Sequence, residues 1–169
     1  MADKISQEEK LKMVRHSMAH VMAEAVLQLF PEAQIAIGPA IENGFYYDFE
    51  LPRPLVDEDL EKITENMKAI IKENKEFKRI EVSREEAAEK FKDQKYKLEL
   101  LDAIPEGEVV TLYNQGGFTD LCRGPHVAST KELNSESFKL TRIAGAYWRG
   151  DEHNQMLTHI YGTAFTNPK

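Results

Sequence analysis

Ser6, followed three positions later by Glu9, opens a run that continues unbroken to Phe30, where Pro31 ends it. Hydroxyl, three-residue interval and carboxylate are the signature of a helix N-terminus, and the proline is a stop. On a helical wheel Leu11, Val14, Met18, Val21 and Ala25 form one apolar stripe. Met13, Ala23 and Leu27 fall on the far side, so only Lys10, Ser17, Glu24 and Gln28 remain as a narrow polar edge. A helix that is apolar on two faces has to be covered from two directions. The chain must therefore supply further layers around its first element, and 169 residues suffice to build them.

The rest of the sequence reads as those layers. QIAIGPAI and GFYYDFEL flank Glu42-Asn43-Gly44, which predicts a β-hairpin at about 34–50. Pro52 and Pro54 punctuate, Asp57 can cap, and Leu60, Ile63, Met67 and Ile70 recur at helical spacing up to about Asn74. Phe77 to Val82 reads as a strand. Ser83 with Glu86 caps a helix to about Lys92, and residues 95–103 read as another short helix. From Gly107 the pattern turns to β: EVVTLYNQ, a Gly116-Gly117 turn, FTDL, FKLTRIAGAYW and MLTHIYGTAF. The expected fold class is α+β, a long buried N-terminal helix and further helices packed on a mostly antiparallel β-sheet.

Charge narrows the function. With 22 basic and 29 acidic residues the net charge is −7, which excludes a chain that binds nucleic acid over its whole surface. The basic residues are concentrated between 51 and 100, where a polyanion would be met. Cys122 is the only cysteine, so there is no intramolecular disulfide, and the expected compartment is the reducing cytoplasm. No stretch approaches the ~18 apolar residues of a membrane span. Walker, GxGxxG, GxSxG and HExxH motifs are missing, which leaves kinases, dehydrogenases, common serine hydrolases and zincins without support.

Chemistry concentrates in two places. His16 and His20 are four apart on the first helix, so both imidazoles project from one face, opposite the Leu11 stripe. Cys122 and His126 repeat the interval in DLCRGPH, where Gly124-Pro125 favours a loop. One Cys and three His can build a tetrahedral zinc site, or line a metal-free polar pocket, and the residues alone leave both open, together with coincidence. Asp120, two residues before Cys122, points to the same side of an extended segment and could anchor an amine or orient a histidine. Arg123 could contact phosphate. Tyr46 and Tyr47 occupy alternate faces of a strand. His153 and His159 lie in polar contexts and read as surface residues.

RHSMAH at 15–20, AIGPAIENGFYYDF at 36–49, DLCRGPHV at 120–127 and AGAYWRGDEHNQMLTHIYGTAF at 144–165 closely resemble the editing domain of bacterial-type threonyl-tRNA synthetases. The resemblance runs from about residue 10 to 166. A related HxxxH and CxxxH module occurs in alanyl-tRNA synthetases and free-standing alanyl editing proteins. The resemblance implies hydrolysis of seryl-tRNA(Thr), needed because one missing methyl gives a binding pocket only ~1–3 kcal/mol of discrimination; the alternatives are an alanyl-type zinc-dependent aminoacyl-tRNA deacylase and a non-catalytic tRNA-positioning module. It implies that His16, His20, Cys122 and His126 line the pocket, with Lys97, Asp120 and Tyr47 around the substrate. Lys97 is singled out by this resemblance alone. His16 and Lys97 would position or activate the water, and Asp120 would hold the α-ammonium. His20, Cys122 and His126 would shape the pocket, and the ribose of the terminal adenosine would add a hydroxyl.

On the same basis no metal is required, although the alanyl relatives look like zinc binders and zinc could be trapped by the four ligands. The partners implied are the tRNA(Thr) 3′ end carrying serine and the missing catalytic domain of the synthetase. Residues 1–169 read as a single excised domain, within which 52–105 could form a helical and β sub-region. Thr158-His159 stands where many relatives carry Gln-Arg.

Overall fold

The computed structural model describes residues 6–122 and 124–165. Helix α1 spans Gln7–Leu29, and the Ser6 hydroxyl accepts from Glu9 N–H at 3.1 Å. Its two-sided burial is as expected: Val14, Met18, Val21, Ala23 and Ala25 are all enclosed. Two members of the narrow polar edge are enclosed as well, which the wheel does not show, while Lys10 is half-buried and Gln28 exposed. Ser17 is fully buried, and Glu24 is buried against Lys75 Nζ at 2.7 Å and Gln115 Nε2 at 3.2 Å. These polar groups tolerate burial because each has a partner.

Strands β1 (Gln34–Ile35), β2 (Ala40–Ile41) and β3 (Gly44–Glu50) form the predicted hairpin, closed at Asn43, whose φ is 65°. The hairpin is interrupted. Between β1 and β2 the chain bows around Gly38-Pro39, and Ala36 and Ile37 bond to Asp48 through their backbone. The bow has a steric cause: a Cβ at Gly38 would lie 2.0 Å from the Tyr47 ring. Tyr47 is fully buried, so Gly38→Ala should displace it and lower stability by about 1–3 kcal/mol. A urea titration beside wild type checks this; an unchanged midpoint would mean that the ring has room to yield.

Helix α2 (Asp57–Lys72) starts one residue earlier than a cap at Asp57 requires. Asp57 is the first helical residue, and Asp59 takes over the capping by accepting from Val56 N–H at 2.9 Å while paired with Arg53. Then come β4 (Phe77–Val82), α3 (Arg84–Lys90) with its reciprocal Ser83/Glu86 cap, α4 (Lys95–Asp102), β5 (Val110–Gln115) and β6 (Phe118–Leu121). Strands β7 (Phe138–Tyr147) and β8 (Met156–Ala164) end the described fold.

The architecture is α+β with two antiparallel sheets. In the larger, β1 and β2 pair with β3, and the order continues β3-β8-β7; in the smaller the order is β4-β5-β6. Helix α1 packs on β2, β3 and β8 and against α2, so the residues of its inner face join Phe45, Tyr47, Phe49 and Ile160 in one core. The smaller sheet carries the Cys122 loop to α1, and its Phe77, Tyr113 and Phe118 join the same core. That loop is stapled to the start of β4 by Phe77 N–H to Ala128 O at 2.9 Å and Thr130 N–H to Lys75 O at 2.8 Å.

Candidate active site

The helical interval and the loop interval meet. His16 and His20 leave α1 with ring centroids 5.3 Å apart, and His126 packs against both at 4.3 and 4.2 Å. Cys122 Sγ lies 3.4 Å from His16 Nε2 and 3.3 Å from His126 Nε2, and accepts from Gly124 N–H at 3.2 Å. The loop can approach this closely because Gly124 has a φ of 78° and no side chain. A Cβ there would lie 2.3 Å from the Tyr113 hydroxyl.

Asp120 joins the cluster from β6. Its Oδ1 is 2.6 Å from Lys97 Nζ and accepts from Leu121 N–H; its Oδ2 accepts from Tyr47 OH at 2.7 Å and lies 3.4 Å from His20 Nε2. Lys97 also donates to Tyr47 OH at 2.9 Å. Lys97 and Asp120 are both almost wholly buried. Their meeting depends on α4, whose first turn is clamped to β1 by two glutamines. Gln94 accepts from Ile35 N–H and donates to Ala33 O, and Gln34 accepts from Lys95 N–H. Lys97 is thus carried to the site on a helix docked at the edge of a strand.

Electrostatics follow from enclosure. Burial is the largest influence on His16, His20 and His126 and pushes all three down, His20 to about 3, against the opposing pull of Asp120 on His16 and His20. All three imidazoles are neutral at pH 7. Burial pushes the Cys122 thiol up to about 12, so it is a thiol, not a thiolate. Burial alone would raise Asp120, but Lys97 and His20 outweigh it and hold the carboxyl below its usual range. Tyr47 is raised well above its usual value by burial and by Asp120, so it remains a phenol donor.

His16, His20, Lys97, Asp120, Tyr47, Cys122 and His126 therefore converge, and Arg123 lies outside the described residues. His153 is exposed, but His159 is not the surface residue its context suggests. It is 8% exposed, stacks on Tyr46 at 4.1 Å and pairs through Nδ1 with Asp48 Oδ1. Its burial comes from neighbours on β3 across the sheet. Tyr46 and Tyr47 do take opposite faces, Tyr46 to this stack and Tyr47 to the site. Sequence reasoning passed over Phe77 and Tyr113, which pack on the His126 ring at 5.3 and 4.4 Å, and Ser17, which is 3.0 Å from His126 Nδ1. Ser17 could have been noticed as a hydroxyl beside His16; the aromatics are set by the β4-β5-β6 register.

Access is through a cleft of about 650 Å³ bounded by Glu9, Lys12, Met13, His16, Pro39, Ala40, Gly124 and Pro125. His16 belongs to both cleft and cluster. The ligand atoms of His16, His20, Cys122 and His126 lie within 4.8 Å of one another. Tetrahedral zinc brings its ligand atoms to about 3.3–3.8 Å. The set fits such an ion after a small contraction, provided Cys122 gives up its proton.

A buried Lys–Asp pair, neutral histidines and a thiol lie together behind an open cleft, and similarity to known proteins gives the family. Residues 110–161 match the family described as the threonyl and alanyl tRNA synthetase second additional domain, and this stretch of the chain belongs to that family. Within it the chain sides with the threonyl branch. It is 58% identical over 155 residues to a threonine–tRNA ligase of Dehalococcoides mccartyi, covering 92% of the chain and 26% of that protein. For the Clostridioides difficile ligase the identity is 52% over 168 residues, covering 98% and 26%, and for that of Bartonella bacilliformis 57% over 159 residues, covering 93% and 24%. The chain spans about a quarter of the length of these relatives. Among the described residues no helix is long and apolar enough to cross a membrane.

Proposed function

We propose that this chain is an editing domain that hydrolyses the ester of serine mischarged on tRNA(Thr), within a larger threonine–tRNA ligase of the cytoplasm. Its partners in this reading are the seryl-bearing 3′ end of the tRNA and the synthetase's catalytic domain. The observation that carries the reading is the buried Lys97–Asp120 pair set behind a cleft whose wall includes His16.

The chemistry is attack of water on the aminoacyl carbonyl. His16, neutral and facing the cleft, accepts a proton from the water as its oxygen bonds to carbon; the ester C–O bond then breaks and the ribose oxygen leaves with a proton. Lys97 uses two of its N–H donors on Asp120 and Tyr47, and its third is available to the carbonyl oxygen or to the water. Asp120 holds Lys97 in place and orients Tyr47. Because all its contacts are taken, a substrate α-ammonium must displace one donor to reach it. His20, Cys122 and His126 form the inner wall, and a methyl on the substrate's β-carbon would press on this wall or take the place of the water. A zinc ion, if bound, would be held by His16, His20, Cys122 and His126 and would supply a Lewis acid.

His16→Ala should lower single-turnover hydrolysis of seryl-tRNA(Thr) by roughly 10²-fold or more while threonyl-tRNA(Thr) stays intact in both proteins. The assay runs at high protein concentration and low salt, because phosphate contacts weaken as salt rises. Equal rates for wild type and variant would remove His16 from the reaction. Preference for alanyl-tRNA, lost on chelation, would move the chain to the alanyl branch.

A further inference from the structure

Ser17 has no place in the mechanism above, yet it is fully buried next to His16 and touches the far side of the cluster. Its Oγ accepts from Val127 N–H at 3.1 Å and lies 3.0 Å from His126 Nδ1. A hydroxyl has one proton to donate, and a donor left without an acceptor in a dry interior costs about 1–3 kcal/mol. The Val127 contact uses a lone pair of Oγ, so it does not satisfy that proton. Among the described residues the acceptor within reach is His126 Nδ1. That nitrogen must then carry a lone pair, and the proton of the neutral ring is on Nε2.

The direction propagates. His126 Nε2–H points at Cys122 Sγ, 3.3 Å away, and Gly124 N–H reaches the same sulfur. With two donors arriving at the sulfur, its own proton is directed to His16 Nε2 at 3.4 Å. His16 closes the chain: Nε2 is the nitrogen turned to the sulfur, which leaves Nδ1 as the ring N–H for the Pro125 backbone and Nε2 as the acceptor. A thiol is a weak donor, so water entering from the cleft readily takes its place on that nitrogen.

We propose that Ser17 is a positioning residue: its hydroxyl fixes His126 as the Nε2–H tautomer, and through Cys122 this leaves His16 Nε2 as the proton acceptor facing the cleft. The kinetic part rests on the hydrolytic reading given above; the tautomer does not. The same arrangement opposes metal binding, since a metal requires the His126 Nε2 lone pair that the Ser17 contact converts into an N–H.

The test uses the metal-stripped 169-residue chain labelled with ¹⁵N-histidine. Long-range ¹H–¹⁵N correlation spectra report which nitrogen of each ring is protonated. The signals are assigned by omission in single His→Asn variants. For wild type and Ser17→Thr, His126 should be protonated at Nε2. In Ser17→Ala it should move to Nδ1–H or a mixture, with kcat for seryl-tRNA(Thr) down about 10-fold and KM unchanged. Ser17→Thr keeps the hydroxyl and should retain kcat within about 3-fold. An Nδ1–H ring in wild type, or Ser17→Ala with unaltered tautomer and kcat, would overturn the proposal. If Ser17→Ala fails to fold, the wild-type spectrum still decides. An Nε2–H ring in a chain that deacylates nothing would support the tautomer assignment and sink the hydrolytic reading instead.

Discussion

Replacing Lys97 by Met is expected to destabilise the protein by about 3–5 kcal/mol at pH 7 and to abolish deacylation, the largest effect of any single substitution in the site. The magnitude comes from what is left behind. Lys97 and Asp120 have side chains 3% and 2% exposed and are 2.6 Å apart, so solvent screens neither. Met fills the volume of the lysine stem but leaves the carboxylate with Tyr47, Leu121 N–H and a neutral His20 as its only support. Asp120 would then take up a proton or drag water into the core. The double variant Lys97→Met/Asp120→Asn separates charge from packing. With both charges gone it should be more stable than the sum of the two single losses by about 0.5–3 kcal/mol. Urea unfolding of wild type, both single variants and the double variant measures the coupling. A Lys97→Met loss below about 1 kcal/mol would show that the pair is hydrated in solution.

How much of this arrangement is legible in the sequence depends on the distance over which each contact is set. Helix α1 is legible because its cap, stripe and stop are local, and so is the facing of His16 and His20. The Ser83/Glu86 cap and the Asn43 turn are legible for the same reason. The approach of Cys122 and His126 to α1 is not local: it is set by the β4-β5-β6 register and by the staples of the Cys122 loop to Lys75 and Phe77. The identical four-residue spacing of the two pairs invites a common site but does not prove one.

Lys97 is the clearest case. Nothing in KYKLELL distinguishes it from Lys95, and the difference is made by Gln34 and Gln94. They fix α4 so that Lys95 reaches Glu50 at the surface while Lys97 turns inward to Asp120. His159 shows the converse, a residue in a polar context that two neighbouring strands enclose. Ser17 was visible as part of a polar edge, but the physics that makes it useful is its burial.

The second large effect is acid lability of the metal-stripped protein. His20 and His126 are buried and neutral in the folded state, with burial holding both far below the ordinary histidine value of 6.5, His20 at about 3. In the unfolded chain both take up a proton as pH falls through 6.5. The unfolded state therefore binds more protons between that value and the folded values, and stability rises with pH across this window. It is fully present above about pH 7 and is lost on acidification, by up to about 1.4 kcal/mol per pH unit for each ring.

Asp120 adds a loss of the same sign only below the normal carboxylate range, because Lys97 and His20 keep it ionised until then. The other buried titrating pair, Asp48 and His159, nearly cancels. Burial raises Asp48 to about 7 and lowers His159, so below neutrality the folded pair holds one proton, on Asp48. Between pH 4 and 6.5 the unfolded pair also holds one, on the histidine. The expected result is a loss of about 2–3 kcal/mol between pH 7.5 and 5.5, seen as a falling urea midpoint. His20→Gln should flatten that slope, since it deletes one of the protons that His16, His20 and His126 take up on unfolding. A midpoint independent of pH over this range would mean that the imidazoles titrate alike in the folded and the unfolded chain, so that burial does not hold them neutral below the ordinary histidine value.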